Sequence, residues 1–138
     1  MQGQCVCGAI TIHYGHNVTD ISACHCVTCV KWGGGPLFTF RANQSVELEP
    51  KADISIYASS EWAERGFCKH CGTHLFYRLK QNEEYYIPIA LFDSAEPVAL
   101  SSQIFIDQKP EYYHLPQSPC MMTGDDVFAA YASLSEDR

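Results

Sequence analysis

The chain has 138 residues, of which 46% are hydrophobic and 12% aromatic, and it carries a formal net charge of −7. This length predicts one domain over residues 1–138 with a core of its own. An acidic chain without a basic stripe is not expected to bind nucleic acid, because attraction to phosphates dominates that affinity. The longest apolar stretch, residues 85–92, is far shorter than the ~20 residues of a membrane span, so no membrane partner is predicted.

Short strands dominate the predicted secondary structure, which indicates a mainly β fold. Each predicted strand is a β-branched, aromatic or alternating stretch that turn residues bound. Residues 75–79 and 85–91 are predicted to form a hairpin, and residues 18–23 a turn that leads into a cysteine cluster. In chain order, the predicted strands cover residues 9–14, 37–40, 46–48, 54–57, 75–79, 85–91 and 104–106.

A short helix is predicted at the C-terminus. Thr123 stands three residues before Asp126, which is a loose form of the capping box. Val127, Ala130, Tyr131 and Leu134 follow at helical spacing. We therefore expect one short amphipathic helix at the end of the chain.

Seven of the eight cysteines fall into three tight clusters, and this pattern predicts metal. A structural zinc site has four protein ligands, whereas a catalytic site has three and an open position. The two pairs together supply four thiolates, and the triplet supplies the three of an open site. The pairs are Cys5 with Cys7 and Cys68 with Cys71, and the triplet is Cys24, Cys26 and Cys29. We therefore expect two zinc ions per chain, the second of them held less firmly.

Disulfides are the alternative reading of these cysteines. An even number of cysteines in a small chain suits a secreted, disulfide-bonded domain. The first residues, however, have neither the basic nor the apolar region of a signal peptide. A pair such as Cys5 and Cys7 is also too cramped for a relaxed disulfide. Metal-held thiolates in a reducing, cytoplasmic setting are therefore the prediction.

Two further residues bear on whether the triplet site is open. His25 lies between two predicted ligands and could be a ligand, an acid–base or supporting group, or a packing residue. Cys120 stands apart from the clusters and could be a small buried apolar residue or a fourth ligand that closes the site. The spacing alone leaves these alternatives open.

Two other segments could recognise an anionic substrate. The glycines at 33–35 allow a close backbone approach to a carboxylate, or they form a plain turn between strands. A set of polar and basic residues near the second cysteine pair could bind an anion, or it could be a solvated loop. This set consists of Ser59, Ser60, Arg65, Lys69 and His70.

With these residues in view, the chain resembles the glutathione-dependent formaldehyde-activating enzyme family, which includes centromere protein V. The resemblance covers roughly residues 3–113 and leaves 114–138 as an extension. It rests on GQCVCGAI at 3–10, CHCVTC at 24–29, YASS at 57–60, RGFCKHCGT at 65–73, LFY at 75–77 and a weaker tail from 104 to 109.

The resemblance implies an Mss4-like fold of several coiled antiparallel β-sheets around a structural zinc. It implies that Cys5, Cys7, Cys68 and Cys71 hold this zinc and that Cys24, Cys26 and Cys29 hold a second. The implied activity is that of a carbon–sulfur lyase, which forms S-hydroxymethylglutathione from glutathione and formaldehyde. Glutathione or a similar thiol and a small aldehyde would then be the partners.

Two non-catalytic interpretations compete with the enzyme. The chain could be a zinc-binding interaction module that uses the same scaffold. It could also be a thiol redox sensor, in which oxidation of the triplet releases zinc. A fourth position open to small thiols favours the enzyme, whereas a site closed by Cys120 or His25 favours the interaction module. The sequence makes no prediction of the oligomeric state.

Overall fold

The computed structural model describes residues 1–43, 45–93 and 96–136 and divides the chain into two compact units. The first unit is Met1–Thr19 with Thr39–Val98, and the second is Asp20–Phe38 with Ala99–Arg138. In chain order the elements are β1 (Gln2–Gln4), β2 (Thr11–Tyr14), β3 (Asp20–Cys24), α1 (Val27–Gly33), β4 (Leu37–Ala42), β5 (Val46–Glu49), β6 (Ile54–Tyr57), β7 (Ala63–Cys68), β8 (His74–Leu79), β9 (Tyr85–Pro88), β10 (Ala99–Ile104), β11 (Cys120–Met121) and α2 (Gly124–Glu136).

The first unit is built from antiparallel strands. One sheet has the order β1-β2-β5, and a second series runs β4-β9-β8-β7-β6. The predicted hairpin is confirmed, because Tyr77 pairs with Tyr86 and Arg78 with Tyr85. Ile12, Leu75 and Ile87 are wholly buried in this unit. Both pairs of clustered cysteines belong to this unit.

The second unit differs in its strand direction and in its interior. Its strands have the order β11-β10-β3, and both pairings are parallel. The largest fully buried side chains in this unit are the polar ones of His25 and Gln103. Buried polar groups need hydrogen-bond partners, so this unit depends on its internal network more than on apolar packing.

The prediction of a mainly β fold with a short C-terminal helix is confirmed. The expected cap of α2 is also present, since the hydroxyl of Thr123 accepts a hydrogen bond from the N–H of Asp126 at 3.2 Å. The side chain of Leu134, predicted on this helix, lies outside the described part of the chain. Among the described residues, no helix is long and apolar enough to cross a membrane.

At the start of the second unit one local prediction is wrong and one helix was missed. Residues 18–23 were expected to form a turn, but β3 occupies Asp20–Cys24 because it pairs with β10, far away in sequence. Helix α1 was not predicted at all. Its C-terminus explains Gly34, which adopts φ +85° and donates its N–H to the carbonyl of Val30 at 2.7 Å. That N–H is therefore used in ending a helix and is not offered to a carboxylate.

Gly66 in β7 gives the first testable prediction. A Cβ at this position would lie 2.2 Å from Cε2 of Phe76, which is itself buried on the neighbouring strand. We expect Gly66→Ala to lower the free energy of unfolding by about 1–3 kcal/mol, because the added methyl overpacks the core. Urea denaturation measures this loss. Gly15→Ala is the matched control, since nothing lies within 4 Å of its Cβ. Equal stability of the two variants would contradict the packing described here.

Candidate metal centres

Four sulfur atoms of the first unit converge on one point. The Sγ atoms of Cys5, Cys7, Cys68 and Cys71 lie within 4.8 Å of one another. Cys7 is 3.6 Å from Cys5 and 3.8 Å from Cys68, measured between sulfurs. A tetrahedron with zinc–sulfur distances of about 2.3 Å has edges of about 3.8 Å, so the donor set fits zinc. These separations are far longer than a disulfide bond, and all eight cysteines are free thiols.

Two similar turns present these four sulfurs. Gly8 follows the first pair and Gly72 follows the second, and both adopt φ +79°. The N–H of Gly8 donates to the carbonyl of Cys5 at 3.0 Å, and that of Gly72 to Cys68 at 2.8 Å. A side chain would strain this left-handed backbone, which explains why glycine follows each pair.

Hydrogen-bond donors at Cys5 and Cys71 favour the ionised form of these two sulfurs, whereas the neighbouring thiols of the cluster raise the pKa of Cys7. The N–H of Ile10 donates to Sγ of Cys5 at 3.3 Å. The hydroxyl of Thr73 lies 3.0 Å from Sγ of Cys71, and its oxygen already accepts the N–H of Val6. This hydroxyl lowers the pKa of the Cys71 thiol to about 5. A metal ligand must be the thiolate, so the surroundings of Cys71 suit a ligand.

Three sulfurs of the second unit form a separate cluster. Cys24 ends β3, Cys26 precedes α1 as its N-cap residue, and Cys29 lies in the first turn of the helix. Their Sγ atoms lie within 4.8 Å of one another. The N–H of Cys29 donates to Sγ of Cys26 at 3.2 Å, so the thiol itself caps the helix. The unpredicted helix therefore brings the second and third thiols of the motif together.

Crowding disfavours the simultaneous ionisation of the three sulfurs in this cluster. Hydrogen bonds from Cys24 to the sulfurs of Cys26 and Cys29 raise the pKa of the Cys24 thiol. Three thiolates this close repel one another, and a bound cation is the usual way to hold them together. The chemistry and spacing of the three donors therefore fit a metal ion.

Within the described residues, no fourth Cys, His, Asp or Glu joins the three-thiol cluster. Cys120 is exposed in β11 and belongs to neither cluster. His25 is wholly buried, and both its ring nitrogens are engaged, Nδ1 with Tyr113 at 2.7 Å and Nε2 with Gln103 at 2.8 Å. Cys120 is therefore a surface thiol rather than a buried apolar residue or a fourth ligand. His25 is a buried imidazole held by two hydrogen bonds rather than a ligand. The part of the chain that the structure describes thus offers the cluster three candidate ligands.

Sequence reasoning missed Gln103 and Tyr113, the two partners of His25. They are 78 and 88 positions from it along the chain, and neither lies in a motif that marks a metal site. Only the parallel pairing of β3 with β10 brings Gln103 to His25. No signal in the sequence identifies these contacts.

The basic residues near the second cysteine pair have partners within the protein. Lys69 and His70 both approach Oδ1 of Asp53, at 3.7 and 3.1 Å. Arg65 is buried and its guanidinium lies over the ring of Tyr77, 5.1 Å from its centroid. The three basic residues of the predicted anion site therefore contact other side chains of the protein, namely Asp53 and Tyr77. These contacts favour a structural role over anion binding.

A mainly β chain with a four-thiol and a three-thiol cluster is typical of proteins whose cysteines could hold metal ions. The comparison with known families is more specific. The family model of the glutathione-dependent formaldehyde-activating enzyme matches residues 1–108, and the chain belongs to this family. The resemblance drawn from the sequence motifs is thereby confirmed.

A curated relative agrees with this assignment, and a solved structure supports the fold. An uncharacterised lyase of Schizosaccharomyces pombe is 35% identical over 127 residues, which cover 91% of this chain and 93% of that protein. The crystal structure of a Rhodobacter sphaeroides protein is similar with a TM-score of 0.58 and 24% identity. The similarity covers 70% of this chain and 92% of the Rhodobacter sphaeroides chain, and it supports the fold alone.

Proposed function

We propose that the protein is a zinc-dependent carbon–sulfur lyase that joins glutathione, or a similar thiol, to formaldehyde or another small aldehyde. Family membership and the relative named as a lyase support the reaction class. The observation that carries the proposal is the three-thiol cluster with no fourth ligand from the described residues. Three protein ligands and an open position are typical of a catalytic zinc, whereas four are typical of a structural one.

The two clusters have different roles in this proposal. Cys5, Cys7, Cys68 and Cys71 hold a structural zinc, since Cys5 and Cys68 are 1% and 0% exposed and anchor the interior of the first unit. Cys24, Cys26 and Cys29 hold the second zinc. Zinc supplies a Lewis acid there, which lowers the pKa of a bound thiol and polarises a carbonyl oxygen.

The reaction requires one bond to form and one proton to move. The sulfur of the thiol attacks the aldehyde carbon, and the carbonyl π electrons pass to oxygen. The thiol proton is lost and the hydroxyl oxygen gains one, so the product is the S-hydroxymethyl thiol. His25 is not placed to carry this proton, because both its nitrogens are engaged. Solvent carries it instead, since Cys24 and Cys26 are only partly buried.

Cys26→Ser tests the proposal through metal content and activity together. We expect elemental analysis to find two zinc ions in the parent protein and about one in the variant, with the fold retained. NMR at equilibrium measures the rate at which ¹³C-formaldehyde exchanges between its free and thiol-bound forms. We expect the parent protein to accelerate this exchange. In the variant the rate acceleration should be about 100-fold smaller, because removing a ligand removes the Lewis acid.

Cys120→Ser is the matched control, since this exposed thiol is outside both clusters. It should retain two zinc ions and full activity. One zinc in both the parent and Cys26→Ser would contradict the second metal site. Two zinc ions without accelerated exchange would instead favour a non-catalytic zinc module.

A further inference from the structure

Two hydrogen bonds from residues remote in sequence hold the backbone on either side of the middle thiol of the three-thiol cluster. The N–H of His25 donates to the carbonyl of Ile104 at 3.1 Å, and the N–H of Val27 donates to Oε1 of Gln108 at 3.0 Å. Residues 104–108 therefore contact the chain both before and after this thiol. These five residues form a brace along the cluster.

The brace bears on the cluster because it sets where Cys26 lies. Cys24 is held by the pairing of its strand with β10, and Cys29 is buried within α1. Cys26 is only half-buried and lies in extended backbone, with φ −64° and ψ 155°, between the strand and the helix. Its two neighbouring N–H groups are both bound to the brace. Since metal–ligand distances vary by only about 0.2 Å, a loss of either bond would weaken a metal held by the three sulfurs.

The brace contains a backbone conformation that its own sequence does not favour. Phe105 has φ +54° and ψ 42°, a left-handed conformation that a bulky residue keeps only where its surroundings impose it. Without such surroundings, Phe105 would return to a negative φ. The chain between Ile104 and Gln108 would then change direction, so the brace needs support from another part of the protein.

The backbone of the C-terminal segment, residues 120–136, supplies part of this support. The N–H of Ile106 donates to the carbonyl of Met122 at 3.1 Å. In the opposite direction, the N–H of Gly124 donates to Oδ1 of Asp107 at 2.7 Å. These two bonds hold the two residues that follow the left-handed one.

Helix α2 also contacts the left-handed residue itself. The rings of Phe105 and Phe128 meet edge to face, with centroids 5.7 Å apart and planes 86° apart. A Cβ at Gly124 would lie 3.2 Å from the ring of Phe105, so the first turn of the helix lies against this ring as well. The family model matches residues 1–108, so the support comes from beyond the matched region.

We propose that the C-terminal segment keeps the second metal site assembled through the brace, with Gln108 as the positioning residue for Cys26. None of the described residues of this segment joins either thiol cluster, so its contribution is to position a ligand and not to supply one. This inference rests on the proposed function and deepens it by naming what holds the second site together.

The role of Gln108 is tested by ¹¹³Cd NMR of the full-length cadmium-loaded protein, in which four-sulfur and three-sulfur sites give separate signals. We expect both signals in the parent. Gln108→Ala should move the three-sulfur signal alone, since only Cys26 loses a support. Gln108→Glu should restore the parent signal, because a carboxylate also accepts the N–H of Val27.

The possible failures of this experiment are distinct. A three-sulfur signal that is unchanged in Gln108→Ala would refute the brace and leave the second metal site in place. A parent with the four-sulfur signal alone would refute the second metal site, and with it both the proposed function and the brace.

The rate of zinc release to a chelator gives a second measure of the same contact. Gln108→Ala should release the second zinc about three- to tenfold faster than the parent, which is the usual worth of one neutral hydrogen bond. Gln108→Glu should match the parent, and the first zinc should leave all three proteins at one rate. Equal release of the second zinc by Gln108→Ala and the parent would overturn the positioning role.

Hydrogen exchange at the N–H of Val27 tests the contribution of α2 in the zinc-loaded protein. Phe128→Ala should speed this exchange, because the loss of the ring contact lets Phe105 relax and draws Gln108 away. Asp125→Ala is the matched control, since Asp125 is exposed on the same helix. It should leave the exchange at the rate of the parent. Equal exchange in the two variants would show that the C-terminal segment does not support the brace.

Discussion

Replacement of Cys68 by serine is expected to abolish the folded state of the first unit. Cys68 is 0% exposed, ends β7 and supplies one of four sulfurs to the proposed structural zinc. A structural zinc contributes about 10–16 kcal/mol in small zinc domains, whereas whole domains are stable by only about 5–15 kcal/mol. Loss of one ligand therefore removes an energy comparable to the total stability.

Circular dichroism and elemental analysis of the purified variant measure this result. We expect Cys68→Ser to lose its cooperative thermal transition and the structural zinc together. The contrast with Cys26→Ser is informative, because that variant is expected to lose one zinc and stay folded. A cooperative Cys68→Ser protein with an unchanged midpoint would refute the structural role of the four-thiol cluster.

Replacement of Gln103 by leucine should cost about 3 kcal/mol of unfolding free energy. Leucine has a similar size but leaves three polar groups without their partner: Nε2 of His25, the carbonyl of Pro116 and the hydroxyl of Ser118. Each buried group left unsatisfied costs about 1–3 kcal/mol, and partial hydration of the carbonyl of the exposed Pro116 lowers the sum. Chemical denaturation of the zinc-loaded protein measures the loss.

Gln117→Leu is the matched control for this change. It is the same substitution at an exposed glutamine, which lies between Pro116 and Ser118. Its stability should lie within about 0.5 kcal/mol of the parent. The Gln103 variant should also release the second zinc to a chelator faster, since His25 stands between two of its ligands. Equal stability of the two leucine variants would show that the buried network contributes nothing to the fold.

The grouping of the cysteines could be predicted from the sequence because it is mostly local. Cysteines two or three positions apart, each pair followed by glycine, leave few geometries other than a turn around a metal. The structure brings together the same two sets of thiols, and Gly8 and Gly72 after the two pairs both have a positive φ. The division into a set of four and a set of three followed from counting ligands.

Strands β3 and β7 and the contacts of His25 could not be predicted, because they depend on residues remote in sequence. Strand β3 has little strand propensity and exists through its pairing with β10. Strand β7 contains the buried Arg65 and the crowded Gly66, so its sequence shows no apolar alternation. The role of His25 is set by Gln103 and Tyr113, whose identities give no sign that they meet it.

The distance along the chain between Cys7 and Cys68, 61 positions, has a consequence for protein synthesis. The triplet is complete as soon as Cys29 leaves the ribosome, whereas the first pair must wait for Cys71. At about 5–20 residues per second this wait lasts about 2–8 s. During it, five thiols on a short nascent segment compete for the same ion. An ion captured by Cys5 and Cys7 with two thiols of the triplet must exchange its ligands before the native protein forms. For the proposed two-zinc protein we therefore expect the exchange of ligands between the two clusters to limit the yield of correctly metallated protein.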